Sequence, residues 1–250
     1  MKKIEVSIIL PNFNSSKYLS QTISSILKQS YNKWNLYIVD DASDERTLKI
    51  LNNYKKNKKI KIFYLKKNMG AAYCRNFAIK KSKSEFLAFI DSDDIWKKNK
   101  LKNQINFMKK NKFSFTYTNY LSYYEKNAKY KKITAPSRFD FEDFIKNTTI
   151  ATSSMIVKRK FIRNIFFTNT KICEDYFFKC KILKKVKYAY RLNDYSLIYR
   201  VRPGSLQSSR LSNFFWIWKI NKMYNNFNFF KNLSSLINIS INSIIKYGFK

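Results

Sequence analysis

Val6-Ser-Ile-Ile-Leu-Pro-Asn-Phe-Asn14 holds four apolar residues in its first five positions and then runs at once into a proline and two asparagines. A run this short, rich in β-branched side chains and closed by turn formers, predicts a strand buried on both faces. The same signature recurs at Leu36-Val39, Lys61-Leu65 and Phe86-Ile90. The gaps between these runs hold helix-period segments preceded by Ser, Asp or Asn. Leu19, Ile23, Ile26 and Leu27 share one helical face, with Ser15 or Ser16 as N-cap, and Leu101, Ile105 and Met108 share another. The β-α-β-α order predicts an α/β fold: a Rossmann-like, mostly parallel sheet flanked by helices on both faces.

Farther along, Phe113-Thr118 predicts a strand, the Tyr- and Lys-rich stretch to Lys132 a loop or insertion, and Ser154-Val157 and Ser196-Val201 later strands. Beyond Leu211 come Phe214, Phe215, Trp216 and Trp218, and then Leu233, Leu236, Ile237, Ile241, Ile244 and Ile245 at helical spacing. That second stretch predicts an amphipathic helix. Such a helix packs on the domain, packs on a twin subunit in a homodimer, or enters a membrane interface beside Lys222, Lys231 and Lys246. The expected organisation is one domain over 1–210, with halves meeting near 112 and 113, and a helical tail over 211–250.

Composition narrows the chemistry. The 250 residues carry a formal charge of +34, yet only 9 of the 50 basic residues are arginine. A field of that size attracts polyanions. The joint abundance of Lys, Asn, Ile, Tyr and Phe is also what an AT-rich genome writes, and scarce arginine argues against a nucleic-acid partner and for an anionic membrane surface. Cys74, Cys173 and Cys180 form neither a C-x-x-C pair nor an even set, so a reduced, cytoplasmic setting is expected. Histidine is absent, which removes His-based triads, metal ligands and acid/base groups. Gly70, Gly204 and Gly248 are the only glycines, so neither a Walker loop nor a dinucleotide G-x-G-x-x-G can be built. The N-terminus lacks the apolar core and cleavage site of a signal peptide, and no apolar run approaches the ~20 residues of a membrane span.

In an open parallel sheet, ligands sit beyond the carboxyl ends of the strands. The first strand runs into Pro11-Asn12-Phe13-Asn14, the second into Asp40-Asp41 and the fourth into Asp91-Ser92-Asp93-Asp94. Two aspartates separated by one residue can face a single divalent cation, and hard oxygen donors suit Mg²⁺ or Mn²⁺ rather than zinc. The same acids could instead cap the following helix. Carboxylates gathered at one sheet edge repel one another unless a cation or a hydrogen-bonding ligand compensates.

Taken in order, Val6-Ser-Ile-Ile-Leu-Pro-Asn-Phe-Asn14, Val39-Asp-Asp-Ala-Ser43, Asn68-Met-Gly-Ala-Ala-Tyr-Cys-Arg-Asn76, Phe89-Ile-Asp-Ser-Asp-Asp-Ile-Trp96, Glu174-Asp175 and Tyr199-Arg-Val-Arg-Pro-Gly-Ser-Leu-Gln-Ser208 resemble a family 2 glycosyltransferase with the GT-A fold. The resemblance spans roughly residues 4 to 210 and is to enzymes of teichuronic acid, O-antigen and capsule biosynthesis. It implies a nucleotide-sugar-binding half over 1–112 and an acceptor-binding half over 113–210. It implies that Phe13 stacks on the nucleotide base, that Asp41 accepts a base N–H and that Pro11 shapes that edge. Asn68, Arg75 and Ser92 would lie near the donor, with Arg75 pairing to a phosphate or to the aspartates. Asp91 and Asp93 match the family's D-x-D, with Asp93 contacting Mn²⁺ or Mg²⁺ directly and Asp94 less clearly involved.

The resemblance further implies inversion at the anomeric carbon, with Asp175 as the base that takes the acceptor proton and Glu174 as the alternative. Relatives often carry His near Arg202. Here Arg202, helped by Arg200 and Ser205, would serve the diphosphate as a cation that does not titrate. The implied reaction moves sugar from a UDP-sugar to a lipid-linked or oligosaccharide acceptor at the inner face of the cytoplasmic membrane. A metal-dependent nucleotidyltransferase and a basic nucleic-acid or membrane-binding module are the other classes considered. The first lacks its Gly-rich loop, and the second leaves the acidic sheet edge without a purpose.

Overall fold

The computed structural model describes residues 4–168, 170, 172–202 and 210–248. Its first half is the predicted alternation: β1 (Val6–Asn12), α1 (Leu19–Leu27), β2 (Trp34–Asp40), α2 (Glu45–Asn52), β3 (Ile60–Tyr64), α3 (Ala71–Lys81) and β4 (Phe86–Phe89). The four strands lie parallel in the order β3-β2-β1-β4. Their unbroken apolar character has a direct cause. Val6, Ile8 and Leu10 enter one core, with Leu36, Ile38, Phe86 and Ala88. Ile9 enters the opposite core with Val39, Leu87 and Phe89. A period of two, apolar on both phases, is what a sheet covered on both faces requires.

Past β4 the sheet becomes mixed. β5 (Ile95–Trp96) and α4 (Lys100–Lys110) lead to β6 (Phe115–Tyr124), β7 (Lys129–Ile133), β8 (Arg138–Phe139), α5 (Phe141–Phe144), β9 (Ile156–Lys158), α6 (Glu174–Val186) and β10 (Ala189–Val201). β9 runs antiparallel between β4 and β6, while β6 and β10 pair in parallel over nine registered positions. The stretch expected as a loop is a hairpin: β6 continues to Tyr124 and pairs with β7 from Tyr120↔Ile133 to Tyr124↔Lys129. Its lysines misled because β7 is solvent-facing, and exposed edge strands use lysine against aggregation. Neither Ser15 nor Ser16 caps α1 by its side chain; instead the Ser15 carbonyl accepts the N–H groups of Tyr18 and Leu19. Ser154 lies in a 3₁₀ turn (Thr152–Ser154), so the strand expected from it begins at Ile156.

The tail forms α7 (Arg210–Met223) and α8 (Phe229–Tyr247), packed against each other and the domain. The amphipathic expectation is half inverted, because Asn232 and Ser235 are buried while Leu233, Ile237, Ile241 and Ile245 are exposed. Inside, Asn221 accepts from Tyr176 Oη at 2.8 Å and donates to Asn232 at 3.1 Å and to Ser235 at 3.2 Å, joining α6, α7 and α8. Only polar groups could satisfy one another there, which is why the small Ser and Asn side chains face inward. Ile239 supplies the apolar contact beside them. No helix among the described residues is long and apolar enough to cross a membrane.

Phe178 of α6, fully buried, stacks on Phe167 with centroids 3.8 Å apart and meets Phe89 of β4 edge-on at 5.8 Å. Phe178→Ala should cost about 3–5 kcal/mol of unfolding free energy, read from denaturant melts. A loss below about 1 kcal/mol would mean that α6 does not depend on this contact.

Candidate active site

Strands β2, β1 and β4 end side by side and present Asp40-Asp41, Asn12 and Asp91 on one edge. Asn12 donates to Asp40 Oδ1 at 2.6 Å, and the Ser43 N–H reaches Asp40 Oδ2 at 3.1 Å. Asp40 is thereby consumed in tying two strand ends together. Asp41, also buried, accepts the N–H groups of Met69 at 2.7 Å and Gly70 at 2.8 Å, one on each oxygen. It fixes the turn that opens α3, with Gly70 at φ +86° and Asn68 exposed. Pro11 is buried and Phe13 stands 49% exposed, an aromatic face free for stacking.

The Asp91–Asp94 turn is held by side chains from four directions. The Asp91 N–H donates to Ser153 Oγ at 3.0 Å, and Asp91 Oδ1 accepts from Arg75 Nη2 at 2.7 Å. Arg75 Nη1 reaches Glu174 Oε1 at 2.6 Å, so one buried guanidinium bridges the end of β4 and the start of α6. Burial opposes its charge, but Asp91 and Glu174 overcome that and hold Arg75 above its ordinary range. The Ser92 carbonyl accepts from Thr22 Oγ1 at 3.0 Å. Asp93 pairs with Arg202 at 2.7 Å, and its carbonyl accepts from Arg200 Nη1 at 2.8 Å. Asp94 Oδ1 accepts the Arg200 N–H at 3.0 Å. Burial, then the charges of Asp93 and Asp91, push the Asp94 carboxyl well above the usual range; burial and Asp91 raise Asp93 in the same direction.

Arg200 and Arg202 therefore do different things. Arg200 is buried, also donates to Gln21 Oε1, and lies 4.9 Å from the Tyr18 ring centroid, so it is a staple. The Arg202 side chain is 36% exposed and pairs with Asp93 alone among the described carboxylates. Ser205 lies outside the described residues.

Much of the carboxylate repulsion expected at this edge is relieved internally, by backbone N–H groups on Asp40, Asp41 and Asp94 and by arginines on Asp91 and Asp93. Among the described residues no three acids or cysteines converge on a common point that would hold a metal unaided. What remains is the hard-oxygen pair Asp91 and Asp93, each with one oxygen engaged by an arginine, beside Asp94 Oδ2, which is buried without a partner. That set fits a divalent cation completed by phosphate oxygens and water, the usual arrangement for Mg²⁺, and not an all-protein cage.

Glu174 and Asp175 open α6 after Cys173, whose φ of +60° is left-handed. As neighbours on a helix they diverge. Glu174 turns to Arg75, while Asp175 Oδ2 accepts from Thr152 Oγ1 and Lys179 Nζ, each at 2.7 Å. Burial raises Glu174, with the Asp175 charge adding to it. Burial also acts on Asp175, but Lys179 and Thr152 outweigh it and hold the carboxyl far below the usual range. Asp175 is thus held in its ionised form. It lines a cavity of about 520 Å³ together with Asp91, Lys179 and residues of the tail. Sequence reading missed Thr152 and Lys179; the i,i+4 spacing of Lys179 from Asp175 was the available signal.

The chain matches the model of "Glycosyl transferase family 2" over residues 7–177, which takes in the ends of β1, β2 and β4 and the start of α6. It is 35% identical over 207 residues, 82% of each chain, to TuaG of Bacillus subtilis, a protein named as a teichuronic acid biosynthesis glycosyltransferase. It is 38% identical over 180 residues, 72% of this chain and 70% of the other, to WfgD of Escherichia coli, named UDP-Glc:alpha-D-GlcNAc-diphosphoundecaprenol beta-1,3-glucosyltransferase. S. aureus TarS 1–349 in complex with UDP-GlcNAc superposes with a TM-score of 0.75 at 22% identity, over 96% of this chain and 73% of that one. The mannosyltransferase PcManGT of Pyrobaculum calidifontis, solved with GDP-Man and Mn²⁺, superposes with a TM-score of 0.70 at 14% identity, over 100% and 77%. Sheet order, the acidic turn after β4 and the carboxylates opening α6 thus meet in one architecture, the GT-A fold, and the chain belongs to glycosyltransferase family 2.

Proposed function

We propose that the protein is an inverting glycosyltransferase of surface-polysaccharide biosynthesis that moves a sugar from a UDP-sugar to a hydroxyl of a lipid-linked or oligosaccharide acceptor. The observation that carries the reading is that Asp175, ionised and hydrogen-bonded, lines the same cavity as Asp91 of the acidic turn. Support for UDP comes from WfgD, named for UDP-Glc, and from TarS, solved with UDP-GlcNAc.

In this reading Phe13 stacks on the uracil, Pro11 shapes that edge, and Asp41 accepts a base N–H on lone pairs left over from Met69 and Gly70. Asn68 and Ser92 border the donor. Asp93 and Asp91 would hold Mn²⁺ or Mg²⁺, an ion that would supply neutralising charge for the departing diphosphate. Arg75 acts by orienting Asp91, and Arg202 offers its exposed edge to the diphosphate while Arg200 holds the turn. As the acceptor oxygen attacks C1, its proton passes to Asp175 and the bond from C1 to the diphosphate oxygen breaks. Held below the usual carboxylate range by Lys179 and Thr152, Asp175 enters the reaction ionised and takes the proton only as the acceptor oxygen bonds to C1. Glu174, committed to Arg75, positions rather than abstracts. In the same reading the enzyme works at the inner face of the cytoplasmic membrane, supported by the exposed Leu233, Ile237, Ile241 and Ile245 of α8 and by the +34 charge, which suit an anionic surface.

Three measurements test this. With Mn²⁺ present, UDP should raise the melting temperature more than GDP, dTDP or CMP, and a chelator should abolish the shift; no response to any nucleotide in folded protein would remove the donor assignment. Asp175→Asn should lower transfer by ~10²–10⁴, about 3–5 kcal/mol of barrier, with the UDP-induced shift retained. Full activity in that variant would move the base elsewhere. Vesicles containing phosphatidylglycerol should carry the protein upward in flotation, and Ile241→Asp should leave it in solution. If wild type and variant float alike, the α8 stripe is not the contact.

A further inference from the structure

Where β4 begins, at the edge of the sheet opposite the acidic turn, a second cavity of about 270 Å³ opens between residues 83–85 and residues 158–163. The two segments are brought together by the antiparallel pairing of β4 with β9, which sets Phe86 against Lys158, and by the Arg159 N–H, which donates to the Glu85 carbonyl at 2.8 Å. Along β4 the way from Glu85 to Asp91 is about 20 Å, so this cavity is no part of the acidic edge. Five cations line it, Lys83, Lys158, Arg159, Lys160 and Arg163, against one acid, Glu85. Among the described residues none of the five forms an ion pair, whereas Arg75, Lys179 and Arg202 at the other edge each have one. A lysine-rich composition does not account for the cluster, because two of the chain's nine arginines meet here.

Arg159 is fixed in the cavity wall. Its Nε donates to the Ser84 carbonyl at 2.7 Å, Nη1 to the Ile79 carbonyl at 3.1 Å and Nη2 to Ser82 Oγ at 2.5 Å. All three acceptors are neutral, and of the five N–H groups on a guanidinium two are left over. Burial pulls Arg159 below its ordinary range and no carboxylate restores it, the reverse of Arg75.

Like charges gathered in a hollow focus a field that recruits the opposite sign. A guanidinium already held in place loses little freedom on pairing, and its fork matches the oxygens of a phosphate. The volume falls below the ~300–1,000 Å³ of drug-sized sites, which suits a phosphate group with a small substituent and not a whole nucleotide.

We propose that this cavity binds a phosphate group, carried by a soluble ester or by a lipid headgroup, through Arg159, Lys160 and Arg163, as a site separate from the one at the acidic turn. It stands whether or not the transferase reading holds.

Inorganic phosphate serves as the probe, titrated calorimetrically at constant ionic strength with a chelator present. Wild type should bind it saturably. Lys160→Gln/Arg163→Gln, a change confined to exposed side chains, should weaken binding about tenfold or more, with thermal melts confirming folding. Lys126→Gln/Lys129→Gln removes the same charge from the exposed β6–β7 hairpin and should leave the affinity unchanged, as should Arg202→Met at the acidic turn. Equal affinity in wild type and Lys160→Gln/Arg163→Gln would overturn the site, and so would an equal loss in the hairpin variant or loss in Arg202→Met. Vesicles of phosphatidylcholine and phosphatidic acid, offered to protein carrying Ile241→Asp, separate the two sources of phosphate. Flotation that disappears with Lys160→Gln/Arg163→Gln assigns the cavity to a lipid headgroup; flotation absent or indifferent to that change, with phosphate binding intact, assigns it to a soluble ester.

Discussion

One buried guanidinium organises the site. Arg75 rises from α3 to meet Asp91 at the end of β4 and Glu174 at the start of α6, and so joins three separate segments. Taking a charge out of water is costly unless both partners are well placed, and removing one member of such a pair typically costs about 3–5 kcal/mol. The clamp therefore sets the distance between the acidic turn on one side and the carboxylate helix on the other. Asp175 inherits its direction from it: with Glu174 drawn to Arg75, the next residue on the helix must turn toward Thr152 and Lys179.

The alternating half of the fold was legible because burial on both faces leaves a simple trace, short apolar runs ending in Asn or Asp. The mixed half was legible only in part: β6, β9 and the end of β10 were expected, with bounds a few residues off, but β7 is too rich in lysine to look like a strand. At the site, the positions that match the family motifs were readable, but their division of labour was not. Nothing in Arg200 and Arg202 as letters separates a buried staple from an exposed cation. Asn14, Ala42 and Cys173 adopt left-handed backbone at the ends that present Phe13, Asp41 and Glu174, and none is a glycine that would have announced it. The polar interior of the tail was equally hidden, because a helical wheel assumes that apolar means inward.

The Asn221 network has a consequence for how such enzymes diversify. It links Tyr176, next to Asp175, with Asn232 and Ser235 of α8, so the helix bearing Asp175 and the helix closing the cavity share buried hydrogen bonds. A tail from another family member cannot be grafted on as a cassette, since a mismatched partner would strand buried polar groups one residue from Asp175. A substitution in the tail that breaks this network therefore calls for a compensating one in α6 or α7.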